Sequence, residues 1–241
     1  MRYRIALRHT DRMTSPGMTA PEPAASGPAL PGWPLFDLRL RCRDVELRVV
    51  QPSDLGQLAD LLPDDAEHDP RAELFGGLDR DANRRRLLYQ TCWRSLGTWS
   101  PLSWSLDFAV TSNGALAGIQ TLEAGQFPVL RTVDSASWLV KDVRGRGAGI
   151  AMRMAVLGLA FDHLGADAAI TSAASGNAAS LGVSRRIGYQ ANGLSFSDSE
   201  QGRIELTHLR LTAAAWRASG LGREVSVSGL EPCRPWFGQS S

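Results

Sequence analysis

The stretch that most constrains the fold of this chain is Val143–Gly165, VRGRGAGIAMRMAVLGLAFDHLG. Six consecutive residues contain three glycines and two arginines, and the chain then becomes apolar without a break. We predict a helix from about Gly147 to Leu164 that packs against a sheet. The prediction rests on apolar side chains that recur at the spacing of one helix face, at Ile150, Met154, Leu157, Phe161 and Leu164.

The start of this helix is suited to binding an anion. A helix N-terminus has unpaired N–H donors and a partial positive charge. The glycines leave those donors uncovered and the arginines add charge, so the loop is a candidate pocket for a phosphate or pyrophosphate. The alternative is a glycine-rich connection with solvent-exposed arginines. A dinucleotide-binding G-x-G-x-x-G motif is excluded because Ile150 stands where its third glycine is required. The loop consists of Arg144, Gly145, Arg146, Gly147, Ala148 and Gly149.

The rest of the chain predicts an α/β fold with a mixed sheet. Helices are predicted after Pro52, over Asp79–Trp93 and over Ala178–Ile187. Asn113-Gly114 indicates a hairpin between SLDFAVT and LAGIQTLE. This order implies a largely antiparallel sheet with a parallel pairing near its centre. Strands are predicted in LRLRCRDVELRVVQP, SLDFAVT, LAGIQTLE, VDSASWLV, DAAITSAAS and IELTHLRLT.

Composition excludes several classes of function. The chain has 241 residues and a net charge of +1, which predicts one sizeable globular domain and no bulk binding of nucleic acid or anionic membranes. Three cysteines without a CxxC pair indicate reduced thiols in the cytoplasm, and four histidines without metal-ligand spacing predict no metal site. No apolar run is long enough for a membrane span. Residues 1–30, rich in Pro, Ala, Ser and Arg, predict a disordered tail.

Two motifs resemble those of a known family. The loop Arg144–Gly149 fits the R/Q-x-x-G-x-G/A signature of the GCN5-related N-acetyltransferase (GNAT) superfamily, where it binds the pyrophosphate of acyl-coenzyme A. Residues 177–189, NAASLGVSRRIGY, resemble the N-x-x-S-x-x-V-x-x-K-L-G-F/Y segment of its RimJ/RimL-like branch. From Trp33 onward the chain is similar to an actinobacterial subgroup that includes a mycobacterial succinyl-CoA-binding transferase. That similarity rests on WPLFDLRL, VDSASWL, MRMAVLGLAF and CRPWFG.

The resemblance implies a GNAT fold, a twisted, mostly antiparallel mixed sheet flanked by helices. Its two central parallel strands, here SWLV and AAITS, would splay apart so that the pantetheine arm of the coenzyme fits between them. A backbone N–H of Leu139 or Val140 would polarise the thioester carbonyl. Asn177 and Ser180 would contact the pantetheine. Trp138 would line the cleft, with a role as a buried core aromatic as its alternative.

The resemblance also implies catalytic residues. Asp134 is the first candidate for the general base and Glu123 the second, with ordered water alone as a further alternative. Each carboxylate is otherwise a solvated or salt-bridged group. Ser180 or Tyr189 would donate a proton to the leaving thiolate. Tyr189 stands where phenylalanine is more usual, and core packing is its alternative role.

The implied activity is acyl-CoA-dependent N-acyl transfer by direct attack of a primary amine, with acetyl-CoA or succinyl-CoA as donor and no metal. The alternatives are a non-catalytic acyl-CoA sensor and an interaction module on the same fold. The acceptor would be a small molecule or a protein amine. A succinyl donor would need an arginine at the acyl end of the cleft, for which Arg71, Arg84–Arg86 and Arg131 are candidates.

The predicted organisation is a single acyltransferase domain with two flanking segments. The domain covers residues 31–218. Residues 219–241 form a C-terminal extension that packs on the domain, on a partner in a homodimer, or over the acceptor groove.

Overall fold

The computed structural model describes residues 32–66, 72–198 and 202–239. The predicted tail lies outside them. The described residues build a nine-stranded sheet with the order β7-β8-β6-β5-β4-β3-β2-β1-β9. Its strands are β1 (Arg39–Cys42), β2 (Val45–Val49), β3 (Trp104–Ser112), β4 (Ala115–Ala124), β5 (Thr132–Leu139), β6 (Ala168–Ala174), β7 (Gln190–Ser197), β8 (Ile204–Thr212) and β9 (Val225–Ser228).

Helices cover both faces of this sheet. The α-helices are α1 (Leu55–Asp60), α2 (Arg80–Gly97), α3 (Phe127–Leu130), α4 (Ala148–Gly158), α5 (Ala178–Ile187) and α6 (Ala213–Ser219). Short 3₁₀ turns lie at Pro34–Asp37, Pro52–Asp54, Lys141–Val143, Leu221–Glu224 and Glu231–Phe237, and α4 continues as a π-helical turn, Leu159–His163.

Local sequence signals located most of these elements. The predicted hairpin is present, with left-handed φ angles of 50° at Asn113 and 78° at Gly114, as a two-residue turn requires. The prediction of a single strand over residues 38–52 is wrong. Arg43, at φ 57°, turns the chain there and makes a hairpin of β1 and β2. Strands β7 and β9 were not predicted; β7 shows no clear alternation, and β9, which does alternate, has only four residues.

The predicted parallel pairing is confirmed, and it is short. β5 and β6 pair in parallel only through Thr132↔Ala168, Val133↔Ala169 and Asp134↔Ile170. Beyond this level β5 stays paired with β4 and β6 with β8. The two central strands therefore separate, and we call the gap between residues 135–139 and 171–174 the cleft. Its closed end lies at Asp134 and Ile170.

The two faces of β5 meet different helices because side chains alternate along a strand. Val133 and Leu139 belong to the apolar core shared with α4 and α5. Trp138 belongs to a second core cluster with residues of α1 and α2. Register then places Ser135 and Ser137 on the α4 face, and Asp134 and Ala136 on the α1/α2 face.

The C-terminal extension completes the edge of the sheet that is farthest from the cleft. β9 pairs antiparallel with β1, five strand positions from β5. Phe237 and Cys233 are buried in the core, and Gln239 donates hydrogen bonds to the carbonyl oxygens of His163 and Leu164 (both 3.2 Å). These contacts lie near the closed end of the cleft. The described part of this segment therefore packs on the domain.

Candidate active site

Backbone groups of β5 line one wall of the cleft. The Val140 N–H donates to Ala117 O at 2.8 Å. Because alternate residues of an antiparallel strand point their N–H and C=O groups to opposite sides, the corresponding groups of Ser137 and Leu139 point into the cleft. Of the two predicted carbonyl-polarising amides, Leu139 faces the cleft and Val140 faces β4. Ser137 was not predicted, although backbone alternation along the strand marks it once the pairing partner is known.

The glycine loop leaves the N-terminus of α4 uncovered. Gly145 has φ 75°, and Gly147, the N-cap of α4, has φ 93°. A side chain is strained at these angles, whereas glycine is not. No side chain caps this helix start, and a Cβ on either glycine would meet nothing within 4 Å. The space over the first N–H groups of α4 is therefore open to an anion.

Gly149 allows close packing at the start of α4. A Cβ built there would lie 3.5 Å from Cγ2 of Val183 on α5 and 3.9 Å from Cδ1 of Leu139. A small residue at 149 thus lets the start of α4 approach both α5 and the end of β5. Arg146, between the glycines, is exposed.

Arg144 does not point freely into solvent. Its guanidinium makes a two-pronged ion pair with Asp65, at 2.7 and 3.0 Å, and its Nε donates to Leu139 O at 2.8 Å. Burial tends to raise the pKa of the Asp65 carboxyl, but the hydrogen bonds and charge of Arg144 outweigh it and hold the pKa below its ordinary value. This ion pair joins the glycine loop, the end of β5 and the segment after α1. Asp65 was not predicted, since its segment PDDAEHDP carries no motif.

Asn177 and Ser180 lie at the N-terminus of α5, directly after β6. Asn177 is buried, and its Oδ1 accepts a hydrogen bond from the Ser180 N–H at 3.0 Å, as an N-cap residue does. Ser180 is half-buried and its carbonyl accepts from the Ser184 hydroxyl at 3.2 Å. The two predicted residues are therefore together, on the β6 side of the cleft opening.

Tyr189 lies at the other end of α5. It follows Gly188, the left-handed C-terminal cap of that helix, and its ring is buried in the apolar core. A ten-residue helix is about 15 Å long, so Tyr189 is separated from Ser180 by most of that length. Its position favours the packing role.

The two candidate bases are neighbours. Glu123 and Asp134 are a directly paired cross-strand couple of β4 and β5, half-buried on the α1/α2 face at the closed end of the cleft. The Ser135 N–H donates to Oδ1 of Asp134 at 2.5 Å. Trp138 lies on the same face and is buried between β5 and α1/α2, which agrees with its alternative role as a core aromatic.

A groove opens beside the end of β5. It has a volume of about 270 Å³ and is lined by Asp60, Leu61, Leu62, Pro63, Asp64, Val140, Lys141 and Asp142. Three carboxylates and the chain's single lysine therefore stand next to the glycine loop.

In the described part of the chain, no group of three or more His, Cys, Asp or Glu residues is arranged to hold a metal ion. The thiols of Cys42, Cys92 and Cys233 are buried, and burial raises the pKa of Cys42 and of Cys233 to about 11. Across the same residues, no helix combines the length and the apolar character needed to cross a membrane.

Comparison with known proteins gives one family and one fold. Residues 44–190 match the sequence profile described as "Acetyltransferase (GNAT) domain". The fold is similar to Mycobacterium smegmatis RimJ in complex with CoA-disulfide, with a TM-score of 0.60 and 18% identity over 78% of this chain and 96% of that one.

Two further solved structures share the fold. A GCN5-related N-acetyltransferase from Brucella melitensis has a TM-score of 0.58 and 18% identity, covering 77% of this chain and 82% of that one. RimL, described as a ribosomal L7/L12 alpha-N-protein acetyltransferase in complex with coenzyme A, has a TM-score of 0.56 and 13% identity, covering 72% and 96%.

Proposed function

The chain belongs to the GNAT acetyltransferase family, and from this premise we propose an acyl-CoA-dependent N-acyltransferase that moves an acetyl or succinyl group to a primary amine by direct attack. One observation carries the proposal. An open helix N-terminus at Gly147 stands at the mouth of a cleft whose wall offers the backbone N–H groups of Ser137 and Leu139. The first suits a diphosphate, and the second suits the amides of a pantetheine arm.

The acyl-CoA donor binds partly at the N-terminus of α4 and partly along β5. The diphosphate accepts hydrogen bonds from N–H groups of the loop Arg144–Gly149, with Arg146 adding positive charge. The pantetheine amides bond to β5 as a missing strand would. Asn177 and Ser180 close the opposite side. Arg144 acts through its ion pair with Asp65, which holds the loop and the strand end in place.

The thioester carbonyl is polarised by a backbone N–H, and we assign this role to Ser137. A base must lie within hydrogen-bond reach of the attacking amine. Along a strand, Ser137 is about 10 Å from Asp134 while Leu139 is about 17 Å away, at about 3.3 Å per residue. The Leu139 N–H is then left for the pantetheine.

The acceptor ammonium first loses one proton to solvent, and the reaction itself then needs two proton movements. The amine nitrogen forms a bond to the thioester carbon and gives up a proton to Asp134, with Glu123 beside it as the second candidate. The carbon–sulfur bond breaks, the thiolate takes a proton from Ser180, and the proton held by Asp134 returns to Ser180 through solvent, so that both side chains end as they began. The products are an amide and free coenzyme A. Holding both reactants in the cleft supplies much of the acceleration.

The acceptor is proposed by class. The groove beside Val140 presents Asp142, together with Asp60 and Asp64, which are paired with Arg85 and Arg84. It lies about 20 Å along β5 from Asp134, so it suits the entry of an amine as an ammonium ion and not the reacting position itself. Small amines and protein α-amines both meet that description. We place the reaction in the cytoplasm, with a homodimer as the proposed assembly, which sedimentation velocity tests directly.

Release of free thiol tests the function. The full-length chain is incubated with acetyl-CoA or succinyl-CoA and a panel of amines, including amino-terminal peptides and polyamines. Amine-dependent thiol release supports the proposal. Saturable binding of coenzyme A with no turnover on any amine would instead favour the acyl-CoA sensor.

A further inference from the structure

The closed end of the cleft contains a buried arginine. Arg153 projects from α4 and is only 4% exposed. Its guanidinium donates to the Thr171 hydroxyl at 3.4 Å, and that hydroxyl donates to Ser135 O, also at 3.4 Å. Thr171 and Ser135 belong to β6 and β5 at the first level beyond their last parallel pair. Arg153 therefore lies on the α4 face, at the point where the two strands separate.

This charge is uncompensated within the described residues. None of them brings a carboxylate within 4 Å of the Arg153 guanidinium, and its Nε is buried without a partner. The hydroxyl of Ser135 and Oε1 of Gln120 on β4 are also buried without partners. Burying a cation without an anion or a full set of acceptors is costly. The arrangement is that of a site prepared for an anionic group.

Arg84, the other buried arginine of the described chain, shows the contrast. It is 8% exposed, yet its guanidinium is satisfied by Pro63 O and stands 3.6 Å from an Asp64 carboxylate oxygen. Arg85 pairs with Asp60, and Arg131 donates to Gly165 O beside Asp167.

The sequence suggested five arginines as partners of a succinyl carboxylate: Arg71, Arg84, Arg85, Arg86 and Arg131. Arg86 donates to Glu73 O at 2.5 Å, and Arg71 lies outside the described residues. None of the four described candidates reaches the closed end of the cleft, because each is held by contacts elsewhere.

We propose that Arg153 binds a carboxylate carried by the far end of the acyl group, so that the preferred donor is the coenzyme A thioester of a dicarboxylic acid. This rests on the proposed function, which places the thioester carbonyl at Ser137. Ser135, at the closed end, is about 7 Å further along the same face of β5. An acyl chain that extends in this direction meets Thr171 and Arg153, and a terminal carboxylate there pairs the guanidinium in surroundings that exclude water.

The test compares two acyl groups of equal length. Isothermal titration calorimetry measures binding of succinyl-CoA, butyryl-CoA and coenzyme A to the full-length chain without acceptor. Butyryl-CoA has nearly the shape of succinyl-CoA but no charge. We expect succinyl-CoA to bind at least about tenfold more tightly than butyryl-CoA, because its carboxylate forms a charge-assisted hydrogen bond with Arg153.

Substitutions of single arginines test whether Arg153 causes the preference for succinyl-CoA. Arg153→Met removes the charge at similar size and should bring the succinyl-to-butyryl affinity ratio to about one. Arg153→Lys should retain part of the preference, and it replaces the methionine variant if that one does not fold. Arg217→Met, an exposed arginine on α6, is the control and should keep the wild-type ratio.

The outcomes separate this inference from the function. Equal binding of the two thioesters by the wild type, or a ratio that survives in Arg153→Met, overturns the carboxylate site and leaves acyl transfer standing. Failure of all three ligands to bind overturns both. The inference is supported if Arg153→Met loses the preference for succinyl-CoA over butyryl-CoA, Arg217→Met keeps it, and the affinity for coenzyme A is unchanged in both.

Discussion

At the scale of single residues, the neighbouring carboxylates of Glu123 and Asp134 are the first to test. Both are half-buried at the closed end of the cleft. Asp134 lies on β5, the strand whose Ser137 amide faces the cleft, so its side chain is the better placed of the two. Glu123 lies one strand further away.

We expect Asp134→Asn to lower kcat by about 10²-fold or more, the range for losing a general base. Glu123→Gln should lower it by less than about tenfold. Steady-state rates of thiol release measure both effects, and calorimetry should find coenzyme A affinity unchanged. If both variants keep the wild-type kcat, no side chain serves as base and ordered water remains.

The ion pair of Asp65 with Arg144 predicts a pH-dependent contribution to stability. The pKa of Asp65 is lower in the folded chain than its ordinary value. A lowered pKa means that the stabilisation is fully present above about pH 4 and is lost as the pH falls through the lowered pKa. Asp65→Asn should therefore be less stable than the wild type at pH 7 by about 1–3 kcal/mol, and the difference should vanish in acid.

Urea unfolding at a series of pH values measures this difference. The matched control is Glu224→Gln, which breaks the exposed pair with Arg43 and should change stability very little. An Asp65→Asn variant as stable as the wild type at pH 7 would show that Arg144 needs no partner to hold the loop. The same variant should also weaken coenzyme A binding, since the loop and β5 lose their link.

At the scale of elements, the glycine loop and α4 act as one unit, because the left-handed Gly147 sets both the loop path and the helix start. Gly147→Asp should raise the Kd for coenzyme A by more than tenfold, since it adds negative charge and a side chain over the helix N-terminus. Gly147→Ala adds only the strain and should have a smaller effect. Calorimetry with coenzyme A measures both.

A second left-handed glycine is the control for strain. Gly220 has φ 69°, open space around it and a position after α6, away from the cleft. Gly220→Asp should leave coenzyme A affinity intact. Unchanged affinity in Gly147→Asp would mean that the diphosphate binds elsewhere.

The contact of β4 with β5 also depends on one glycine. A Cβ on Gly118 would lie 2.1 Å from Trp138 O, so β4 must move to accept any side chain. We expect Gly118→Ala to lower Tm by several degrees, at about 2–4 °C per kcal/mol for a chain of this size. Gly56→Ala in α1 has open space and should raise Tm slightly. Calorimetric melting compares them, and equal Tm values would show that the strands adjust without cost.

At the scale of the whole molecule, ligand binding should stabilise the fold. The cleft walls belong to β5, β6, α4 and α5, which all contribute to the principal core. Coenzyme A at about 100 times its Kd should add about 2.7 kcal/mol, which corresponds to a rise in Tm of about 5–10 °C. Thermal melting with increasing coenzyme A measures this, and a flat Tm up to millimolar ligand would contradict the proposed function.

The far edge of the sheet belongs to the same cooperative unit. Strand β9 pairs with β1, and the turn Glu231–Phe237 places Phe237 against Trp99 and Trp104 at ring distances of 5.4 and 5.2 Å. The last described segment of the chain therefore supports the core.

The sequence by itself determined the elements whose signals are local. A helix of period 3.6 after a glycine loop, an Asn-Gly hairpin and an Asn-capped α5 were readable, because each depends on neighbours within a few residues. The loop Arg144–Gly149, Asn177, Ser180 and the α/β class followed from the same signals and from family motifs. Strand β7 and the hairpin turn at Arg43 were missed because their formation depends on pairing partners.

Only the tertiary structure decided which residues pair across the sheet and which distant side chains contact each other. Which strand amides face the cleft depends on the register of β4 and β5, and register assigned Val140 to Ala117 and left Ser137 open. The partner of Arg144 and the burial of Arg153 depend on segments brought together from 79 and 18 residues away. Local patterns carry no information about such distant contacts, because these arise only when the sheet has formed and the helices have packed on it.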